Sequence, residues 1–183
     1  METHNADGSD PRAEVRPTLR IRRPDESTLV DEFTMLRGWL DHLRGSARTK
    51  IEGLTPDQLR WRPSPTANSA GGIVMHLGYA ERWWLRVIFD DEQMDLAWTA
   101  DRNASTFVVP DGWGAEDVLA FHRAETEATD AVLDRADSLD EPSRSALRPT
   151  NLRWIMTHLV EEVARHAGHL DITRELIDGS TGR

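Results

Sequence analysis

The segment from Asn151 to Asp178 restricts the fold of this chain more than any other. At helical spacing Ile155, Leu159, Glu162, His166, Leu170 and Thr173 form one stripe, which puts a carboxylate and an imidazole in the middle of a face that ought to be buried. An ionised Glu in a core is strongly unfavourable unless it is paired or bound to a metal, and a buried His needs a partner for each ring nitrogen. Glu162 and His166 stand one turn apart, the i, i+4 spacing at which two side chains on a helix can grip one ion. Another part of the chain must face them.

The remaining periodic segments are helical as well. Leu29, Phe33, Leu36, Leu40, Leu43, Ala47 and Ile51 mark a helix from about Thr28 to Glu52, closed by Gly53. Thr55-Pro56-Asp57 opens a short turn through Leu59, and Arg60 to Pro65 reads as extended because residues before proline leave the helical region. Asn68 or Ser69 caps a second helix running to Phe89, with Ile73, His76, Leu77, Ala80, Trp84, Val87 and Ile88 inward. A lone histidine on such a face is usually a satisfied core residue. With the same anomaly on the last helix, His76 becomes the third ligand of one site.

The helical pattern stops between Asp90 and Trp113, and so long a connection is usually functional or mobile. Its Trp98, Phe107 and Trp113 either close over a site or pin the loop to the body. A third helix from Ala115 to Asp137 turns Val118, Phe121, Ala124, Ala128 and Val132 inward, and leaves His122 facing either a central cavity or solvent. Asp137 to Thr150 is a polar linker, and the last helix ends at Asp178 with Gly179 as its cap. Four long helices with no strand-period segment predict an all-α fold, an antiparallel four-helix bundle with one long crossover loop. Residues 27–183 form the bundle domain. Residues 1–26 form a flexible tail, whose arginines lie back on the acidic surface or dock an acidic partner.

A net charge of −10 argues against affinity for nucleic acid or for anionic membrane surfaces. No apolar run reaches the roughly 18 residues that span a bilayer, residues 1–26 lack the apolar centre of a signal peptide, and the expected location is cytoplasmic. The chain has no cysteine, so thiol chemistry needs a thiol brought in from outside.

Gly53-Leu54-Thr55-Pro56-Asp57-Gln58-Leu59-Arg60-Trp61-Arg62-Pro63, then Asn68-Ser69, Ile73-Val74-Met75-His76-Leu77 and Glu81-Arg82-Trp83-Trp84-Leu85, then His158, Glu162, His166, Gly168 and His169 resemble the DinB superfamily. The resemblance covers residues 28–178 and is greatest to the actinobacterial DinB-like branch that includes the mini-circle proteins. It implies a bundle holding one divalent metal through His76, Glu162 and His166. The usual motif has three histidines and a Gly-Gln after the last, whereas here Glu162 holds the middle position and His169 stands where the Gln would be. A His-Glu-His set is similar to that of the mycothiol-dependent maleylpyruvate isomerases, relatives that activate a low-molecular-weight thiol. A rival set of His76, His166 and His169 stays open.

Two imidazoles and a carboxylate suit Zn, Ni, Fe(II) or Mn, and three ligands leave positions for water or substrate. The expected reaction is addition of a metal-activated thiol, mycothiol by the resemblance, to an electrophilic carbon of a small-molecule substrate, as S-transfer or isomerisation. His158 and His169, beside the pair, are candidates for catalytic proton transfer or for orienting a ligand. Arg82, Arg165 and Tyr79 are candidates for holding a substrate carboxylate. Two other classes fit the same residues: a hydrolase whose metal activates water, and a non-catalytic metal-binding or dimerising bundle. A buried structural ion pair among the three residues is the plain alternative. A di-iron centre is disfavoured because the second helix offers only His76 on its buried face. Trp39 and Trp83 are surface that a homodimer would cover.

Overall fold

The computed structural model describes residue 24, residues 30–94 and residues 102–181, without the side chains of Arg102 and Asn103. The arginine-rich stretch expected as a tail, Leu29 and Trp98 lie outside the described residues. The helices are α1 (Glu32–Thr49), α2 (Pro56–Arg60), α3 (Ala70–Glu81), continued by a π-helical segment (Arg82–Phe89), then α4 (Arg102–Thr106), α5 (Ala115–Leu133) and α6 (Leu152–Asp178). No strand occurs among the described residues, and none of their helices is long and apolar enough to cross a membrane.

Local chemistry sets the boundaries. Asp31, Ser69 and Asn151 accept hydrogen bonds from the amides of Thr34, Gly72 and Trp154, so α1, α3 and α6 each start on a side-chain cap. Thr55 and Gln58 form a reciprocal capping box with Pro56 inside it, as the sequence predicts for α2. Helix α1 stops at Thr49, earlier than expected; the chain turns through Lys50–Gly53, where Gly53 takes φ 71°. Gly179 ends α6 in the same left-handed conformation.

Cross-helix pairs give the directions. Glu32 meets Arg153 at 3.0 Å and Lys50 meets Asp171 at 2.5 Å, so α1 and α6 run parallel. Arg37 meets Asp134 and Arg44 meets Asp130, each at 2.7 Å, so α1 and α5 run antiparallel. Tyr79 packs on Phe121 and Arg82 binds Glu125, which makes α3 and α5 parallel, while His76 opposite Glu162 and Trp84 opposite Trp154 make α3 and α6 antiparallel. The bundle is therefore up, down, down, up. Two consecutive long helices pointing the same way require the long crossover.

Beyond Glu81 the second helix widens. Asp90 donates its amide to the carbonyl of Leu85, an i→i+5 bond, and the π turns carry the residues after Glu81 off the α register. Leu85, Val87, Ile88 and Phe89 enter the core while Trp83 and Trp84 stay half-buried. Helix α6 buries the whole predicted stripe from Ile155 to Thr173. Helix α5 departs from expectation: Val118, Leu119, His122, Glu125, Thr126, Thr129, Val132 and Leu133 are buried, while Ala124 is exposed and Phe121 and Ala128 are half-buried. Its inner face is rotated because it must meet charged partners on α1 and α3.

Candidate metal centre

The first turn of α3 is built for close approach. A Cβ on Gly71 would lie 2.7 Å from the Leu59 side chain and 2.8 Å from Val109, and one on Gly72 only 2.2 Å from the carbonyl oxygen of Phe107. The crossover can therefore press against the helix and bring Thr106 and Phe107 onto His76, one turn further along. His76 Nδ1 lies 2.8 Å from Thr106 Oγ1, and the imidazole stacks on Phe107 with centroids 4.0 Å apart and planes 11° from parallel. Both contacts fix the ring, leaving Nε2 pointing at α6.

Glu162 Oε1 lies 3.0 Å from His76 Nε2 and 3.2 Å from His166 Nε2. One ligand atom from each of the three buried residues lies within 4.8 Å of the other two. Hydrogen bonds from His166 and then His76 hold the Glu162 carboxyl well below the usual carboxylate range despite its burial, and Arg165 adds to the effect from the second oxygen. Three lone-pair-bearing atoms so close together need a positive charge between them, either imidazole protons or a cation. Neighbouring ligands on a tetrahedral ion with bonds of about 2.1 Å stand about 3.4 Å apart, so the Glu162 to imidazole separations of 3.0 and 3.2 Å fit a divalent cation with a few tenths of an ångström of movement. With Nε2 as ligand, Nδ1 of His76 carries the proton and donates it to Thr106, the kind of outer contact that orients a metal-binding histidine.

The three residues border a cavity of about 480 Å³, also lined by Tyr79, Trp83, Trp84, Arg148, His158 and Arg165. His158 stacks on Trp154 at 5.2 Å and meets Trp84 edge-on at 4.8 Å. His169 is exposed, lies outside the cavity lining, and meets His166 only edge-on at 5.5 Å. Of the residues expected to hold a carboxylate, Tyr79 and Arg165 line the cavity, whereas Arg82 binds Glu125. Of the crossover aromatics, Phe107 covers His76, and Trp113 packs on Phe121 against the body.

A family model described as mycothiol-S-transferase matches residues 35–179. The chain belongs to the mycothiol-S-transferase family. This is a DinB-like family, in keeping with the resemblance carried by the motifs. A crystal structure of a conserved protein from Enterococcus faecalis superposes with a TM-score of 0.61 at 14% identity, covering 83% of this chain and all of that one, and shares its fold. No curated protein matches the chain at a significant level.

This member of the mycothiol-S-transferase family holds a second polar cluster that sequence patterning does not reveal. Glu81, absent from the predicted inward face, is fully buried, so the second helix offers two buried ionisable groups rather than His76 alone. It turns away from the candidate metal centre toward Arg44 of α1, which binds it at 2.9 Å and also reaches Asp41 and Asp130 at 2.7 Å and Thr129 at 3.2 Å. Thr129 in turn donates to Glu81 at 2.9 Å. Burial would raise the Glu81 carboxyl, but Arg44 outweighs it and holds the group ionised. With its charge taken up by Arg44, Glu81 supplies no ligand near His76. His122 is fully buried and outside the cavity, so it faces neither the cavity nor solvent. Charged residues whose partners lie 37 to 86 positions away carry no local spacing that announces them.

Proposed function

We propose that this chain is a divalent-metal-dependent S-transferase that joins the sulfur of mycothiol to an electrophilic carbon of a small-molecule substrate. The observation that carries this reading is the convergence of His76, Glu162 and His166 on one wall of a 480 Å³ cavity, in a chain of the mycothiol-S-transferase family. His76, Glu162 and His166 would hold the cation, which when bound lowers the pKa of a thiol and so supplies a nucleophile at neutral pH. The chain has no cysteine of its own, and the sulfur must come from the co-substrate.

Each remaining part is played by a residue at the cavity. Thr106 and Phe107 hold the His76 ring, and Arg165 offsets the negative charge of Glu162. As the C–S bond forms, the displaced electron pair leaves with the departing group, or moves to the neighbouring carbon, which takes up a proton. His158, packed against Trp84 and Trp154 at the cavity wall, would take the thiol proton or deliver that one. His169, exposed and outside the lining, takes no part.

Metal content and thiol dependence test the proposal together. Natively purified wild type is expected to carry about one divalent ion per chain and to conjugate mycothiol to 1-chloro-2,4-dinitrobenzene with release of chloride, while His76→Ala and Glu162→Gln lose both properties. Absence of a stoichiometric ion would sink the metal reading. Turnover of an ester that ignores mycothiol would favour the hydrolase instead.

A further inference from the structure

Two arginines line the cavity, and they differ in one respect. Arg165 is engaged by Glu162 and Glu161 on its own helix. Arg148, on the linker before α6, has no carboxylate partner among the described residues, in a chain that carries ten more acidic than basic side chains. Its guanidinium stands over the Trp84 indole, 5.6 Å from the ring centroid. Trp84 in turn packs on Trp154 at 5.0 Å and on His158 at 4.8 Å. A cation held over an indole is positioned without using its N–H donors, which stay available for the two oxygens of a carboxylate.

The ligand for such a corner is identified by its chemistry. The indoles offer flat apolar wall, which suits a planar conjugated or aromatic body, and the unpaired guanidinium offers one bidentate anion contact at its edge. Mycothiol, a cysteine amide of an amino sugar, brings no carboxylate to this arginine. A cavity of about 480 Å³ has room for a second reactant beside the sulfur. We propose that the Arg148–Trp84 corner is the acceptor subsite and that it selects planar electrophiles bearing a carboxylate. This rests on the S-transfer reading for the word acceptor, but not for the binding preference itself.

Binding and turnover separate the two. Calorimetric titration of the metal-loaded full chain with naphthalene-2-carboxylate and naphthalene-2-carboxamide is expected to show about tenfold tighter binding of the carboxylate, the size of one charge-assisted contact. Arg148→Gln, at an exposed position, is expected to bring the carboxylate down to the level of the amide and leave the amide unchanged. Trp84→Ala weakens both probes, and the carboxylate more than the amide, because the guanidinium loses the ring that holds it. With mycothiol and the matched pair 4-chloro-3-nitrobenzoate and 4-chloro-3-nitrobenzamide, Arg148→Gln raises KM for the benzoate about tenfold and leaves KM for mycothiol unaltered. Equal affinity for the two naphthyl probes in wild type would overturn the proposal. So would a carboxylate preference that survives Arg148→Gln and disappears on chelation, since the cation and not Arg148 would then be the receptor. A preference that follows Arg148 in a protein with no thiol-dependent turnover would support the subsite and remove the S-transfer reading.

Discussion

His122 is an imidazole with no exposed surface and no hydrogen-bond partner for either ring nitrogen among the described residues. Burial lowers its pKa to about 4, against the opposing pull of Glu81 and with added repulsion from Arg48, Arg44 and Arg123. The unfolded chain takes up that proton near pH 6.5 and the folded one does not, so the contribution to stability is intact above 6.5. It is lost as pH falls from there to about 4, by about 3 kcal/mol in all. His122→Leu is expected to remove this part of the acid sensitivity and to be neutral or stabilising at pH 8, where it deletes two unsatisfied polar atoms. Urea midpoints for both proteins at pH 8 and pH 4.5 measure it; a wild-type-to-variant difference that is the same at the two pH values would show that His122 is not the titrating group.

Element by element, the order and the caps were legible because they depend on neighbours in sequence. Ser69, one of the two candidates, caps α3, Pro56 sits inside its box, and α6 buries the predicted stripe with Glu162 and His166 in it. The convergence of His76 on that pair was legible too, since two apolar faces with matching flaws can be satisfied only by each other. The rotation of α5 and the π turns after Glu81 could not be read. The first is set by Arg44, Arg82 and Arg86 on other helices, and the second carries no local residue signal. The crossover's grip on α3 can be tested at one glycine. Alanine normally exceeds glycine in a helix interior by about 1 kcal/mol, and Gly168→Ala on α6, with open space around it, should gain stability in that direction. Gly72→Ala should instead lose about 1–3 kcal/mol, because its Cβ would meet the Phe107 carbonyl. It should also weaken metal affinity about tenfold as Thr106 is moved off His76. Thermal melts and competitive chelation read both effects, and a Gly72→Ala protein as stable and as tight-binding as wild type would mean the crossover yields freely.

At the scale of the whole molecule, α3 is the wall shared by two polar interiors. Its His76 faces α6, and its Glu81, five positions on, faces α1 and α5, so one helix separates the candidate cation site from a cation supplied by the protein itself. The Arg44 guanidinium is 2% exposed and joins three long helices through Glu81, Asp130 and Thr129. Removing one member of such a buried pair leaves the other charge uncompensated, at a cost of about 3–5 kcal/mol, whereas replacing both with apolar groups of similar size is often close to neutral. Arg44→Met and Glu81→Leu should therefore each be severely destabilising, and the double variant should recover most of the loss. Asp41 and Asp130, partly open to solvent, can be hydrated once the guanidinium is gone; Thr129 keeps its bond to the Thr126 carbonyl. Urea unfolding of the four proteins at pH 7.5 gives the coupling energy directly. Losses that simply add would show the two charges to be independently solvated, and the cluster would then play no part in setting how α1, α3 and α5 meet. Strong coupling with cation affinity unchanged in the double variant would show that the bundle's register and its candidate metal centre are maintained by separate groups on opposite faces of α3.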